Sequence, residues 1–339
     1  MVLLSHIAKA AGVSVSTASR ALAGREYVAA ETRDIVKRAA AELGYEPNLL
    51  ARGLRRSRFN LIGMLLPDTR SSSFSSEASQ LLHRQLRNYG YSLLSGAYHH
   101  NREIERSYLE TIPKIGLAGL FHKPLGSASA EQVATGKNPM PVVEFLRASG
   151  STKLDGVVHD DAQGSVAVVE HLTGIGHRRI GLIAGPKRLG STVQRVTGFL
   201  RALDFACIDR DSCVIRNSEH TVEGGGRAFA YLMAQTPRPT AIYASGAQLA
   251  LGAALAADEA GVSIPQELSL VGLGTPSWTR LMKPRLTTYA LPVQEIAMTA
   301  ALLMVSRIEN DNEDDAPEPV QITISGRLKI QDSTAPPAV

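Results

Sequence analysis

Residues Ser5–Leu22 restrict the fold more than any other stretch. The run Ser5-His-Ile-Ala-Lys-Ala-Ala-Gly12-Val-Ser-Val-Ser-Thr-Ala-Ser-Arg20-Ala-Leu22 reads as two short helices broken at Gly12. Ile7, Ala8 and Ala11 form one apolar stripe, and Ala18, Ala21 and Leu22 a second at the same spacing. Gly12 permits the positive-φ turn that ends the first helix. Ser14 is placed to cap the second, with Thr17 in the reciprocal capping-box position, although Thr is a weaker partner there than Glu or Gln. Two short helices joined by a glycine turn make a helix-turn-helix unit, which presents its second helix to a DNA major groove. The outward residues of that helix are Val15, Ser16, Thr17 and Arg20. Hydroxyls meet phosphates or base edges, a small apolar side chain touches a thymine methyl, and Arg grips guanine bidentately. A plain helical hairpin with a solvated face is the competing reading.

A third helix over Glu31–Leu43 places Ile35, Val36, Ala39, Ala40 and Leu43 on one face to cover the hairpin. Gly44-Tyr45-Glu46-Pro47 ends it, because proline disfavours helical geometry in the residue before it. The segment Asn48–Arg58 then carries four arginines and no acid. Asn48 can cap a short helix there, but Gly53 within it costs about 1 kcal/mol against alanine. A hinge helix that forms only when phosphates neutralise it fits this composition; a basic solvated linker is the alternative.

Charge is unevenly placed. The first 60 residues hold ten Lys/Arg against five Asp/Glu, whereas the whole chain of 339 has a net charge of only +4. A cationic head on a near-neutral body points to nucleic acid and away from a membrane surface. No run of about 18 apolar residues exists to span a bilayer, and the start lacks a signal peptide. Cys207 and Cys213 have no zinc or redox spacing. A cytoplasmic, nucleoid-associated protein with free thiols is expected.

The body alternates buried runs with helix-length stretches. Leu61–Leu66 is continuously apolar, as in a strand covered on both faces. Further strands are expected at Tyr91–Ala97, Leu117–Phe121, Val142–Phe145, Gly156–His159, Arg179–Ala184, Ala241–Ser245 and Leu268–Gly272. Helices are expected between them at Ser76–Asn88, Gln163–Thr173, Val193–Leu203, Glu223–Gln235 and Ala247–Ala260. Such alternation implies two α/β lobes with parallel sheets. Glu309–Pro319 is acidic and helix-breaking, an exposed loop. The end after Asp332 reads as a frayed tail without the apolar heptads of a coiled coil.

Enzyme motifs are missing, so no catalytic residue and no cofactor are expected. Gly150-Ser-Thr-Lys153 lacks the order of a phosphate loop, no Gly-x-Ser-x-Gly occurs, and Gly224-Gly-Gly226 lacks the dinucleotide pattern. The nine histidines are scattered, and neither His99-His100 nor His159-Asp160-Asp161 has helical metal-ligand spacing.

The run Ile7–Arg20, then Glu31-Thr-Arg33, Glu42–Asn48, Ala51-Arg-Gly-Leu54 and Leu61–Asp68, resembles the LacI/GalR (lactose-repressor) family of bacterial transcription regulators. Gly176–Pro186, Arg195–Phe199, Arg238–Tyr243, Leu251–Ala254, Ile264–Gly272 and Pro284–Thr288 extend the resemblance over nearly the whole chain. It implies a helix-turn-helix head at 1–46, a hinge helix or linker at 47–60, and an effector-binding and dimerisation core at 61–333, with a tail at 334–339. The core would have the periplasmic-binding-protein-like (type I) fold, its first lobe at about 61–160 and 292–320 and its second at about 161–291 and 321–333. The implied activity is that of a homodimeric repressor, as a rule, on a pseudo-palindromic operator in double-stranded DNA. Paired Leu54 side chains would wedge into the central minor groove, and Arg52 or Arg55 would contact edges or phosphates beside them.

The resemblance places the small-molecule effector, a sugar or sugar-derived metabolite, between the lobes against Ser73, Phe74, Asp160, Arg195, Gly246, Ala247 and Gly274. Phe74 as core and Asp160 as a turn residue are the plainer alternatives. Many relatives carry Asn-Asp at Gly246-Ala247 and an Asp at Gly274. The loss of those carboxylates leaves Arg195 less compensated, so the expected effector carries a carboxylate or phosphate. A cleft that binds nothing, a sensor whose head no longer reads DNA, and a sugar- or nucleotide-processing enzyme are the other readings.

Overall fold

The computed structural model describes residues 4–22, 28–43, 60–67, 73–126, 130–310 and 317–338. The chain divides into two compact units, Met1–Phe59 and Asn60–Val339.

The first unit is helical where it is described: α1 (Leu4–Ala10), α2 (Val15–Leu22) and α3 (Ala30–Glu42). Gly12 has a φ of 66°, the left-handed value that lets the chain reverse between α1 and α2. The Ser14 hydroxyl accepts the Thr17 amide at 3.0 Å, satisfying a donor that the first turn of α2 cannot. Ile7, Ala8, Ala18, Ala21, Val28, Val36, Ala39 and Ala40 form the core. Small alanines bring the three helices close, and the fully buried Ile7 and Val36 each contribute about 1.5–3 kcal/mol. One expectation needs correction. Ile35 is 38 % and Leu43 41 % exposed, so α3 packs on Val36, Ala39 and Ala40 and the edges of its stripe stay in solvent. The hinge segment, with Arg52, Leu54 and Arg55, lies outside the described residues.

The second unit contains two sheets, parallel but for one edge strand. The first is built from β1 (Leu61–Leu66), β2 (Ser92–Ala97), β3 (Gly119–His122), β4 (Val142–Leu146), β5 (Asp155–His159) and β11 (Gln321–Ile324), in the order β11-β5-β4-β3-β1-β2. Helices α4 (Ser73–Asn88) and α11 (Val293–Glu309) cover one face, α5 (Arg102–Thr111) and α6 (Glu131–Thr135) the other. The second sheet is β12-β10-β9-β8-β6-β7, from β6 (Ile180–Ala184), β7 (Val214–Asn217), β8 (Ala241–Ala244), β9 (Ser269–Leu273), β10 (Thr287–Ala290) and β12 (Arg327–Lys329). Helices α7 (Asp161–Gly174) and α8 (Gly190–Phe205) lie on one side of it, α9 (Val222–Met233) and α10 (Ala247–Glu259) on the other. Buried apolar runs such as Leu61–Leu66 are what strands covered on both faces require. The glycines at 224–226 serve packing: a Cβ on Gly225 would stand 2.3 Å from the Leu249 carbonyl oxygen, so α9 and α10 touch backbone to backbone.

Three details depart from expectation. β11 pairs with β5 in the first sheet, so the last crossing between lobes falls at Ser325-Gly326 and residues 321–324 belong to the first lobe. β12 runs antiparallel to β10, so the second sheet is not wholly parallel. The end of the chain is not frayed. Ser333 is fully buried and Thr287 N donates to its Oγ at 2.8 Å. Ala335 N donates to Ser269 Oγ at 3.1 Å, and the Ala335 carbonyl lies 3.0 Å from His177 Nε2. Those polar partners sit at the sheet's base, and nothing in the composition of the tail announces them.

Candidate functional site: a cationic cleft and an exposed recognition helix

In the first unit, α2 turns Ala18 and Ala21 into the core and leaves Val15 (42 % exposed), Ser16 and Arg20 facing outward. Thr17 is half-buried, with its hydroxyl 2.8 Å from that of Ser14; Ser16 Oγ lies 3.0 Å from the same oxygen. Small side chains therefore project from the start of α2 and a cation from its last turn.

In both sheets of the second unit the strand order reverses beside the first strand of the lobe, β1 or β6. Such switch points open a crevice beyond the carboxyl ends of the strands. A cavity of about 400 Å3 lies there, lined from the first lobe by Phe74, Ser75, Lys123, Leu146, Arg147 and His159. The second lobe supplies Arg188, Ser191, Arg195, His220, Gly246, Ala247 and Gly274 among others. Of the residues expected in the cleft, Phe74, Arg195, Gly246, Ala247 and Gly274 are thus brought together. The Phe74 ring meets His159 edge to face at 5.6 Å. Ser73 begins α4, and its side chain lies outside the described residues.

Asp160 is not among the lining residues. Its carboxylate accepts the Gln163 amide at 2.8 Å and caps α7. Its neighbour Asp161 does not line the cavity either, but it pairs with two residues that do, Arg195 and His159. Asp161 Oδ1 accepts from Arg195 Nε at 2.6 Å and lies 2.8 Å from His159 Nε2. Arg195 Nη1 donates to the Ser245 carbonyl at 2.6 Å. Burial alone would raise the Asp161 carboxyl; the charges of Arg195 and His159 outweigh it and hold the group well below the usual carboxylate range. Arg195 is therefore compensated within the protein, contrary to expectation.

Lys123 and Arg147 are cleft residues without a motif of their own. Each stands one residue beyond its strand, Lys123 after β3 and Arg147 after β4, and these strands are neighbours. Tyr98 donates its hydroxyl to the Lys123 carbonyl at 2.6 Å, and Arg147 Nη1 donates to the Pro124 carbonyl at 2.9 Å. Leu125 N donates to the buried Glu105 carboxylate at 3.0 Å, which pins the same turn. Leu146 is held at a φ of 66°, a left-handed value that costs a branched residue about 1 kcal/mol or more. Burial, then the charges of Arg147 and Arg195, lower the Lys123 ammonium to about 7. Burial lowers Arg147 as well.

His220 is another residue without a sequence signal. A Cβ on Gly246 would stand 2.8 Å from His220 Nδ1, and one on Gly185 would stand 2.4 Å from its Nε2. The imidazole fills the room that glycine leaves at both positions. Burial, then Arg195, Arg147 and Lys123, lower it to about 3, so it is neutral at physiological pH. Arg188 and Glu219 form a two-pronged pair at 2.8 and 2.9 Å at the exposed rim. No group of three or more metal-ligating side chains occurs among the described residues, and none of their helices is long and apolar enough to cross a membrane.

Residues 3–48 match bacterial regulatory proteins of the lacI family, and residues 169–334 match a periplasmic binding protein-like domain. Over 341 aligned residues, 99 % of this chain and 97 % of the relative, the sequence is 31 % identical to the HTH-type transcriptional repressor PurR of Escherichia fergusonii. The lac repressor dimer bound to operator and the anti-inducer ONPF has the same fold, with a TM-score of 0.88 at 24 % identity over 98 % of this chain and 99 % of that one. A LacI family transcriptional regulator from Enterococcus faecium, solved with bound ribose, gives 0.70 at 27 % identity over 81 % of this chain and 99 % of that one.

Proposed function

We propose that this chain, which belongs to the lacI family of bacterial regulatory proteins, represses transcription from an operator that it grips as a homodimer, under the control of a small molecule held between the lobes of its second unit. The observation that carries this reading is the outward face of α2, where Val15, Ser16 and Arg20 stand clear of the core. Two such helices related by a two-fold axis read the half-sites of a pseudo-palindrome in successive major grooves. Arg52, Leu54 and Arg55, which lie outside the described residues, supply the central minor-groove contacts in this reading. The cleft supplies the control. A ligand that favours one lobe angle changes the separation of the two heads, which is a coupling of about 1–3 kcal/mol between distant sites.

The protein acts on DNA in the bacterial cytoplasm and turns over no substrate. The test is selection of binding sequences from random duplexes by the full chain, followed by footprinting. A protected dyad supports the reading, and a chain that retains no duplex above background contradicts it.

A further inference from the structure

The charges around the cleft do not balance within the described residues. Arg195 is taken by Asp161 and Ser245, and Arg188 by Glu219. Glu77 reaches the cavity from an exposed position on α4. Lys123 Nζ has a hydroxyl partner, Ser75 Oγ at 2.9 Å, and no carboxylate. Arg147 has the Pro124 carbonyl, and its Nε is buried with no acceptor. A part-buried cation without a counter-ion is unfavourable, and a protein that fixes two of them in one wall keeps them for something else.

We propose that the cleft takes a small organic oxyanion whose carboxylate or phosphate seats against Lys123 and Arg147 in the first lobe, while Arg195, neutralised by Asp161, braces the lobes' facing edges and leaves ligand charge to that pair. The inference rests on the cleft being the effector site. Three further features agree with it. Arg147 hydrogen-bonds the residue next to Lys123, which ties the ends of the two neighbouring strands that carry the cations. The start of α10 at Ala247 faces the same cavity, and its N-cap Gly246 has no side chain to occupy the free amides. Ser191, near the start of α8, carries a hydroxyl and lines the cavity. Guanidinium and ammonium groups with hydroxyl and amide donors are the set that recognises carboxylates and phosphates. The apolar ring of Phe74 remains for the carbon skeleton. The ligand class is thus a sugar acid or sugar phosphate, and an uncharged sugar lacks the group that this wall is built to meet.

The test uses calorimetry on the full chain at constant ionic strength, with gluconate, glucose 6-phosphate, inorganic phosphate and glucose as probes at millimolar concentration. Binding by an acidic probe, with glucose silent, is the expected result; gluconate against the two phosphates separates carboxylate from phosphate. Lys123→Met and Arg147→Met should each weaken that binding by about tenfold or more. Arg210→Ala, at an exposed pair with Asp204, should leave it unchanged. At pH 8 the binding should take up protons, because an anion recharges Lys123. Ligand-free melting of each variant shows that it is folded. Glucose binding as tightly as the acids, both charge variants keeping full anion affinity, or no acidic probe binding at all would each overturn the proposal. Operator binding is measured separately in the same samples. If it fails while anion binding stands, the regulator reading falls and this inference does not.

Discussion

Asp161 Oδ1 accepts from Arg195 Nε at 2.6 Å, with both side chains 9 % exposed. The contact joins the first turn of α7 to α8, and it decides which cleft charges are available to a ligand. Removing one partner of a buried pair leaves the other uncompensated, which is costlier than losing the pair.

Asp161→Asn should therefore destabilise the second unit by about 3–5 kcal/mol, read from urea unfolding. The pH dependence carries a second signature. Asp161 is depressed in the folded state, so its contribution is complete above the unfolded carboxyl value of about 4 and is lost as pH falls through the lower folded value. The asparagine variant should lack that loss. An acid-unfolding profile identical in shape to that of the parent would argue against the pairing.

Lys123 should give a slope of the same sign at higher pH. Unfolded, it keeps its proton to about 10.5; folded, it releases it near 7, so stability rises with pH across that window. Lys123→Met should flatten the rise and gain stability at neutral pH, because the cost of a part-buried charge disappears. Chemical denaturation at several pH values checks both statements, and an unchanged slope would contradict them.

Arg20→Ala should reduce operator affinity by about 1–3 kcal/mol and relax preference at one position in each half-site. The measurement is a binding-site logo from selected duplexes. A logo identical to that of the parent would remove Arg20 from base readout.

Truncation after Asp332 should destabilise the second lobe. Ser333 Oγ donates to the Leu270 carbonyl at 2.6 Å and accepts the Thr287 amide at 2.8 Å, and the Ala335 contacts at His177 and Ser269 go with it. At roughly 0.5–1.5 kcal/mol per bond, the midpoint of thermal unfolding should fall by several degrees. A truncated chain that melts with the parent would restore the frayed tail.

The architecture was legible wherever burial leaves a continuous pattern. Leu61–Leu66 and Ala241–Ala244 are strands because nothing polar interrupts them, and Ser14 after Gly12 announces a helix start in four residues. Val214–Asn217, Thr287–Ala290 and Arg327–Lys329 escaped, since short strands near a sheet edge mix polar and apolar residues and carry no period. Helix Val293–Glu309 escaped too: it is largely apolar around its axis, so the stripe that marks an amphipathic helix is faint.

The site was legible in outline only. Asp160 and Asp161 are adjacent at the start of α7, and a single residue of register decides which one caps the helix and which meets Arg195. Lys123 and Arg147 belong to no motif; the parallel pairing of β3 and β4 brings them together across more than twenty residues of chain. His220 lies in room made by two distant glycines, Gly185 and Gly246. Each of these depends on pairing partners that only the folded chain specifies.

The most direct measurement is a titration of the selected operator duplex with the full chain, followed by fluorescence anisotropy with and without the acidic probe that binds the cleft. The account predicts a change in operator affinity of about 5- to 150-fold on saturation, lost in Lys123→Met. An affinity that stays the same at saturating ligand would contradict it.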